Sequence, residues 1–159
     1  MYKLLKVCCL FSFLYVFGLA ETKIKLLIPL YVYPDNTVYS AVEAAARKIT
    51  VVSIINPNSG PQNVSTLDSN YKNALTKLNK ANANSNTGSY TVGYVFTNYG
   101  NRSIPNVKAD IDTYASWSAS YRPNGIFFDE MSNSKAKLSY YQEIYAYTKQ
   151  ILGESAKVF

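Results

Sequence analysis

Gly125-Ile126-Phe127-Phe128-Asp129-Glu130 (GIFFDE) is the stretch on which the fold turns. Its first four residues are uncharged and show no polar alternation. That is the pattern of a strand covered on both faces, as in a parallel sheet, rather than one with a solvated side. Two carboxylates then follow side by side. Burying an unpaired charge is costly, so the strand should end where the chain leaves the apolar interior.

Three earlier runs read the same way. Ile24–Val32 (IKLLIPLYV), Ile49–Asn56 (ITVVSIIN) and Tyr90–Phe96 (YTVGYVF) are apolar and rich in β-branched or aromatic residues. Between them lie helical patterns. Val38–Lys48 is rich in alanine. Tyr71, Leu75, Leu78 and Asn82 fall at helical spacing within Asp68–Asn82, as do Val107, Ile111 and Tyr114 further on. A last stripe, Leu138, Tyr141, Tyr145, Thr148 and Leu152, predicts a fourth helix capped by Ser132 or Ser134, with Gly153 past its end. Ala156–Phe159 (AKVF) reads as the opening of a fifth strand. Four strand–helix units in succession predict an α/β parallel sheet, either an open doubly wound sheet or part of a (β/α) barrel. In both, function gathers at the carboxyl ends of the strands.

The distinctive motifs fall at those ends. YVYPD follows strand one, NPNSGP strand two, TNYG strand three and DEM strand four, whereas a connection on the opposite side, NANSNTGS, is merely polar. Candidate ligand-contacting residues at these ends are Tyr31 and Tyr33, Asn56 and Asn58, and Tyr94, Asn98, Tyr99 and Arg102. Competing structural roles are a turn set by Pro and Gly for NPNSGP, a loop anchor for Tyr99, and a core position for Trp117, the single tryptophan.

Composition narrows the chemistry. The chain has no histidine, and its two cysteines are Cys8 and Cys9. Both lie in an amino-terminal segment with Lys3 and Lys6, an apolar run from Val7 to Phe17, and Gly18-Leu19-Ala20. This is the pattern of a secretory signal peptide (residues 1–20) cut after Ala20, and the apolar run is short of the ~20 residues that span a bilayer. The protein is therefore expected to be secreted, with no membrane attachment after cleavage. Residues 21–159 then contain neither histidine nor cysteine, which excludes imidazole bases, thiol nucleophiles and the usual zinc sites. No cofactor or metal is expected. Without Lys3 and Lys6, 14 basic residues face 10 acidic ones. The lysines are scattered, which gives no nucleic-acid stripe. Tyrosine is abundant, 15 in the chain. A carboxylate-based enzyme that leaves the cell points to glycoside hydrolysis. No glycine-rich phosphate loop opens any helix.

IPLYVYP, INPNSGP, LDSNYKNAL, GYVFTNYGNR and GIFFDE, in this order, resemble the spherulation-specific family 4 (spherulin-4) proteins. The resemblance runs most clearly from Ile28 to Glu130. It implies a secreted (β/α) barrel related to hydrolases of α-1,4-linked galactosamine or N-acetylgalactosamine polymers in microbial matrices and walls. It also implies that the strand-four aspartate, here Asp129, is a catalytic carboxylate with Glu130 beside it. Alternate strand residues share a face, so Phe127 and Asp129 should point into the cleft. Glu130 would turn aside, to orient a substrate hydroxyl or an arginine such as Arg102, or to cap the next helix.

Glycoside hydrolysis normally uses two carboxylates, about 5–5.5 Å or about 6.5–9.5 Å apart. In the family it resembles, the partner is a glutamate on a later strand. A complete barrel takes about 250 residues, so the four and a half units after Ala20 are expected to be a partial barrel and a catalytically incomplete piece of a longer protein. The alternative is a wall or spore-coat protein that binds polysaccharide without cutting it. Two sequons, Asn63-Val-Ser and Asn101-Arg-Ser, are candidate glycosylation sites in a secreted protein, both placed by this reading on the functional face.

Overall fold

The computed structural model describes residues 24–34 and 36–159, and for Asn36 the backbone alone. The expected signal peptide, with Cys8 and Cys9, lies outside the described residues. Among the described residues five strands alternate with four helices. They are β1 (Lys25–Leu30), α1 (Asn36–Ala46), β2 (Thr50–Ile55), α2 (Ser69–Ala83), β3 (Tyr90–Phe96), α3 (Ile104–Ala115), β4 (Gly125–Asp129), α4 (Leu138–Leu152) and β5 (Lys157–Val158). All pairings are parallel, and the sheet order is β1-β2-β3-β4-β5. Strands that are neighbours in both space and sequence follow the barrel order. A doubly wound sheet would reverse direction at a switch point. The chain is thus a partial (β/α) barrel of four units and a fifth strand, and one of the two architectures compatible with the sequence is eliminated.

The sheet has two apolar faces. Val51, Ile55, Val95, Ile126 and Phe128 pack under the helices, against Leu75, Leu78, Val107, Ile111, Tyr114 and Ile144. The alternate residues Val52, Ile54, Val92 and Tyr94 form a second cluster with Tyr90, Phe96 and Phe127 on the inner face. Period two thus divides β2, β3 and β4 between helix layer and barrel interior. Two glycines permit close approaches. A Cβ on Gly93 would lie 2.6 Å from the Tyr114 ring, and one on Gly125 would overlap the Lys157 backbone in β5.

Three expectations from the sequence need correction. β1 was expected to be a buried strand, yet Leu26 and Leu27 are 40% and 48% exposed. Among the described residues its only strand neighbour is β2, so an apolar run alone does not bury it, and Pro29 sits where an edge strand tolerates a missing N–H. In α4 the fully buried residues are Ile144 and Thr148, while Leu138 and Tyr145 face solvent. The tyrosine-rich helix offers two overlapping stripes, and the sheet takes the one centred on Ile144. Ser134 caps a single 3-10 turn, Lys135–Lys137, that leads into α4, rather than the helix itself.

Candidate active site

Asp129 ends β4 on the inner face. Its register partner is Phe96, and Phe127 pairs with Tyr94 one pleat below. The Tyr94 ring stacks on Phe127 at 6.5 Å and meets Tyr31 edge-on at 5.4 Å. Three aromatic rings from β1, β3 and β4 therefore form a continuous wall beside one carboxylate. Tyr31 is 47% exposed and presents its ring at the rim, whereas Tyr94 is buried. Burial, then a hydrogen bond to the Asp129 carboxylate and its negative charge, push the Tyr94 phenol well above its usual range. Burial, then the Asp129 charge, raise the Tyr31 phenol as well. Both phenols stay protonated; Tyr94 donates to the carboxylate, and Tyr31 keeps a proton available to donate at the rim.

The turn after Asp129 is strained and braced. Glu130 adopts a left-handed conformation, φ 54°, as do Asn98 (48°), Tyr99 (54°) and Gly100 (75°) after β3. In an L-residue this costs on the order of 1–2 kcal/mol, and such strain collects where the surroundings over-determine the backbone. Here the brace is Thr97, fully buried at the end of β3. Its N–H bonds the Asp129 carbonyl at 3.0 Å, and its hydroxyl lies 2.9 and 2.8 Å from the carbonyls of Asp129 and Glu130. The Tyr99 N–H bonds the Glu130 carbonyl at 2.8 Å. From α4, the Tyr141 hydroxyl accepts the Ser132 N–H at 2.7 Å and lies 3.3 Å from the Thr97 hydroxyl. One network thus fixes the backbone that aims Asp129.

The other candidates divide into groups. Tyr31 and Tyr94 join Asp129. Glu130 and the exposed side chains of Asn98 and Tyr99 stand at the rim. Tyr33 belongs to the β1–α1 connection but is tied to α2: its hydroxyl donates to Asp68 at 2.9 Å, accepts from Asn70 at 2.7 Å, and its ring meets Tyr71. Asn56 holds its own loop, accepting the Gly60 N–H at 2.7 Å, and Asn58 closes the same turn through its N–H to the Gly60 carbonyl. Arg102 does not pair with Glu130. It lies over the Phe96 ring at 4.1 Å and bonds Asp110 at 2.6 Å, because the first turns of α3 bring Asp110 closer. Trp117 is core, and its indole N–H donates to the Gln62 carbonyl at 3.0 Å.

The sequence reading missed Thr97 as a brace and placed Tyr141 only in a packing stripe. A polar, β-branched residue immediately after the apolar strand YTVGYVF was the available signal for Thr97. Among the described residues no group of three or more acidic, histidine or cysteine side chains gathers as a metal site.

A parallel sheet in barrel order, with an aromatic-flanked aspartate at the carboxyl end of its fourth strand, defines a (β/α)-barrel-type protein with a candidate site at the strand ends. Residues 25–158 match the model of spherulation-specific family 4, and the chain belongs to that family. It is 42% identical over 142 residues to Spherulin-4 of Physarum polycephalum, covering 89% of this chain and 40% of that protein. The crystal structure of Aspergillus clavatus Sph3 in complex with GalNAc is similar, with a TM-score of 0.72 and 33% identity over 86% of this chain and 56% of that one. The chain therefore spans roughly half the length, or less, of these relatives.

Proposed function

We propose that this chain is part of a secreted glycoside-hydrolase-type protein whose strand-end rim binds a polymer of galactosamine or N-acetylgalactosamine, with Asp129 as the catalytic carboxylate facing the bound sugar. The observation that carries this reading is Asp129 on the inner face of β4, beside the Tyr31–Tyr94–Phe127 wall. Aromatic faces stack on the C–H faces of a sugar, and the two phenols donate to its hydroxyls. A carboxylate there can stabilise a developing oxocarbenium ion or attack it. The GalNAc bound by the similar Sph3 supports the choice of sugar.

The test uses N-acetylgalactosamine oligomers and two readouts, binding by tyrosine fluorescence and cleavage by release of reducing ends. Tyr31→Ala should weaken binding at least tenfold. In a protein that carries the full family length, Asp129→Asn should abolish cleavage while binding persists. Binding unchanged in Tyr31→Ala, or cleavage retained in Asp129→Asn, would overturn the assignment.

One observation favours a second reading, a polysaccharide-binding wall or coat protein without catalysis. Two other carboxylates, Asp68 and Asp110, are already engaged, Asp68 with Tyr33 and Asp110 with Arg102. The usual pair of catalytic groups is thus not assembled from them. Under that reading Asp129→Asn leaves polymer retention intact and no reducing ends appear from the unaltered protein.

A further inference from the structure

The two sequons occupy different structural settings. The connection from β2 to α2 does not stay at the rim. Gly60 packs beside Asp110 of α3, and the Gln62 carbonyl accepts the indole N–H of Trp117, two residues beyond the last residue of α3. Because α3 starts at the carboxyl end of β3 and runs back along the sheet, Gln62 and Asn63 lie on the flank of the molecule. The expectation that Asn63 lies on the functional face is corrected accordingly.

At this flank the sequon is already folded into a compact turn. The Asn63 side-chain oxygen accepts the Ser65 N–H at 3.0 Å and the Ser65 hydroxyl at 2.9 Å. The Asn63 carbonyl accepts from the N–H groups of Thr66 and Leu67. Asn63 is exposed, and among the described residues its amide nitrogen makes no hydrogen bond. The amide nitrogen of Asn63 and the serine of its sequon are thus both presented on an exposed turn at the flank. Asn101 differs. It follows three consecutive left-handed residues, of which Tyr99 bonds the Glu130 carbonyl, and its oxygen accepts from Lys137 Nζ at 2.7 Å. The same lysine bonds the Gly100 carbonyl at 2.9 Å. Asn101 is exposed as well, but it stands at the rim, where a glycan would crowd the proposed sugar-binding face.

We infer that Asn63, and not Asn101, is the N-glycosylation site of this chain, and that its glycan projects from the flank and leaves the sugar-binding rim open. The donor is a lipid-linked oligosaccharide pyrophosphate. The Asn63 amide nitrogen forms a bond to the anomeric carbon, the bond from that carbon to the phosphate oxygen breaks, the lipid pyrophosphate leaves with the electron pair, and one amide proton is lost.

The test is secretion of the full chain from a eukaryotic host, followed by glycopeptide mapping and intact mass before and after glycan removal. One glycan on Asn63 is expected. Asn63→Gln and Ser65→Ala should both lose it, and Asn101→Gln should keep it. Ser65→Ala keeps Asn63 itself, so its loss of glycan together with an unchanged melting temperature separates a failed acceptor from a failed fold. An unmodified Asn63 in the secreted chain, or a glycan chiefly on Asn101, would overturn the inference.

Discussion

The Thr97 hydroxyl lies 2.9 Å from the carbonyl oxygen of Asp129, across the gap between the ends of β3 and β4. It ties the residue that carries the proposed chemistry to a neighbouring strand. Thr97→Val keeps the β-branched shape and removes the hydroxyl. Both carbonyls keep a backbone donor, the N–H groups of residue 97 and Tyr99, so the loss is that of one side-chain hydrogen bond, about 0.5–1.5 kcal/mol, and melting should fall by about 4 °C for each kcal/mol lost. Thr97→Ser should recover most of it, because the donor returns. Calorimetry on the three proteins decides the matter, and a valine variant melting with the wild type would show that the hydroxyl holds nothing.

Glu130 offers a test in the opposite direction. Its left-handed backbone, φ 54°, costs on the order of 1–2 kcal/mol in an L-residue. Glycine removes that cost but adds about 0.4–1 kcal/mol of unfolded-state freedom. Glu130→Gly is therefore expected to leave stability unchanged or raise it by up to about 1 kcal/mol. If the carboxylate contacts sugar, oligomer binding falls in the same variant. A clear loss of stability would mean that the Glu130 side chain, and not Thr97, holds the turn.

Much of this architecture is legible without coordinates. The four strands and their helices emerge from runs such as YTVGYVF, which matches β3 residue for residue, because a strand covered on both faces leaves an unbroken apolar signature. Asp129 is legible because period two places it with Phe127 on the inner face. Arg102 was misplaced because partner choice depends on which carboxylate the next helix brings near, here Asp110. Tyr33 was misplaced because its distant partners Asp68 and Asn70 leave no local signal. The α4 stripe slipped because Tyr141, Ile144, Tyr145 and Thr148 fit helical spacing on either side of one line, and only the sheet selects between them.

Gly93 and Tyr114 are coupled by space. The Tyr114 ring covers Gly93, and its hydroxyl donates toward the carbonyls of Ile55 (3.0 Å) and Tyr94 (3.2 Å) at full burial. The ring cannot withdraw without losing those contacts, so Gly93→Ala should cost about 1–3 kcal/mol through overpacking. In a Tyr114→Leu background the same substitution should cost much less, since the ring it collides with is gone. A double-mutant cycle by urea denaturation reads this coupling. Additive penalties would refute the collision.

Stability should also fall in alkali, through buried phenols. Burial above all raises Tyr39 and Tyr114, and burial followed by the Asp129 hydrogen bond raises Tyr94. Each keeps its proton in the folded state above the ordinary value near 10, while the unfolded chain releases it. Their contribution is fully present below about pH 10 and is lost as the pH climbs toward the folded values, because unfolding then releases protons. Phenolate absorbance from these three residues should therefore rise together with the loss of helical circular dichroism. Tyr94→Phe should lower the number of protons released on unfolding by about one. Asp129→Asn removes the second cause acting on Tyr94, so that phenol should ionise at lower pH than in the wild type. If the Asn variant instead titrates as the wild type does, Tyr94 and Asp129 do not share a proton-bearing contact, and the aromatic wall and the carboxylate act separately.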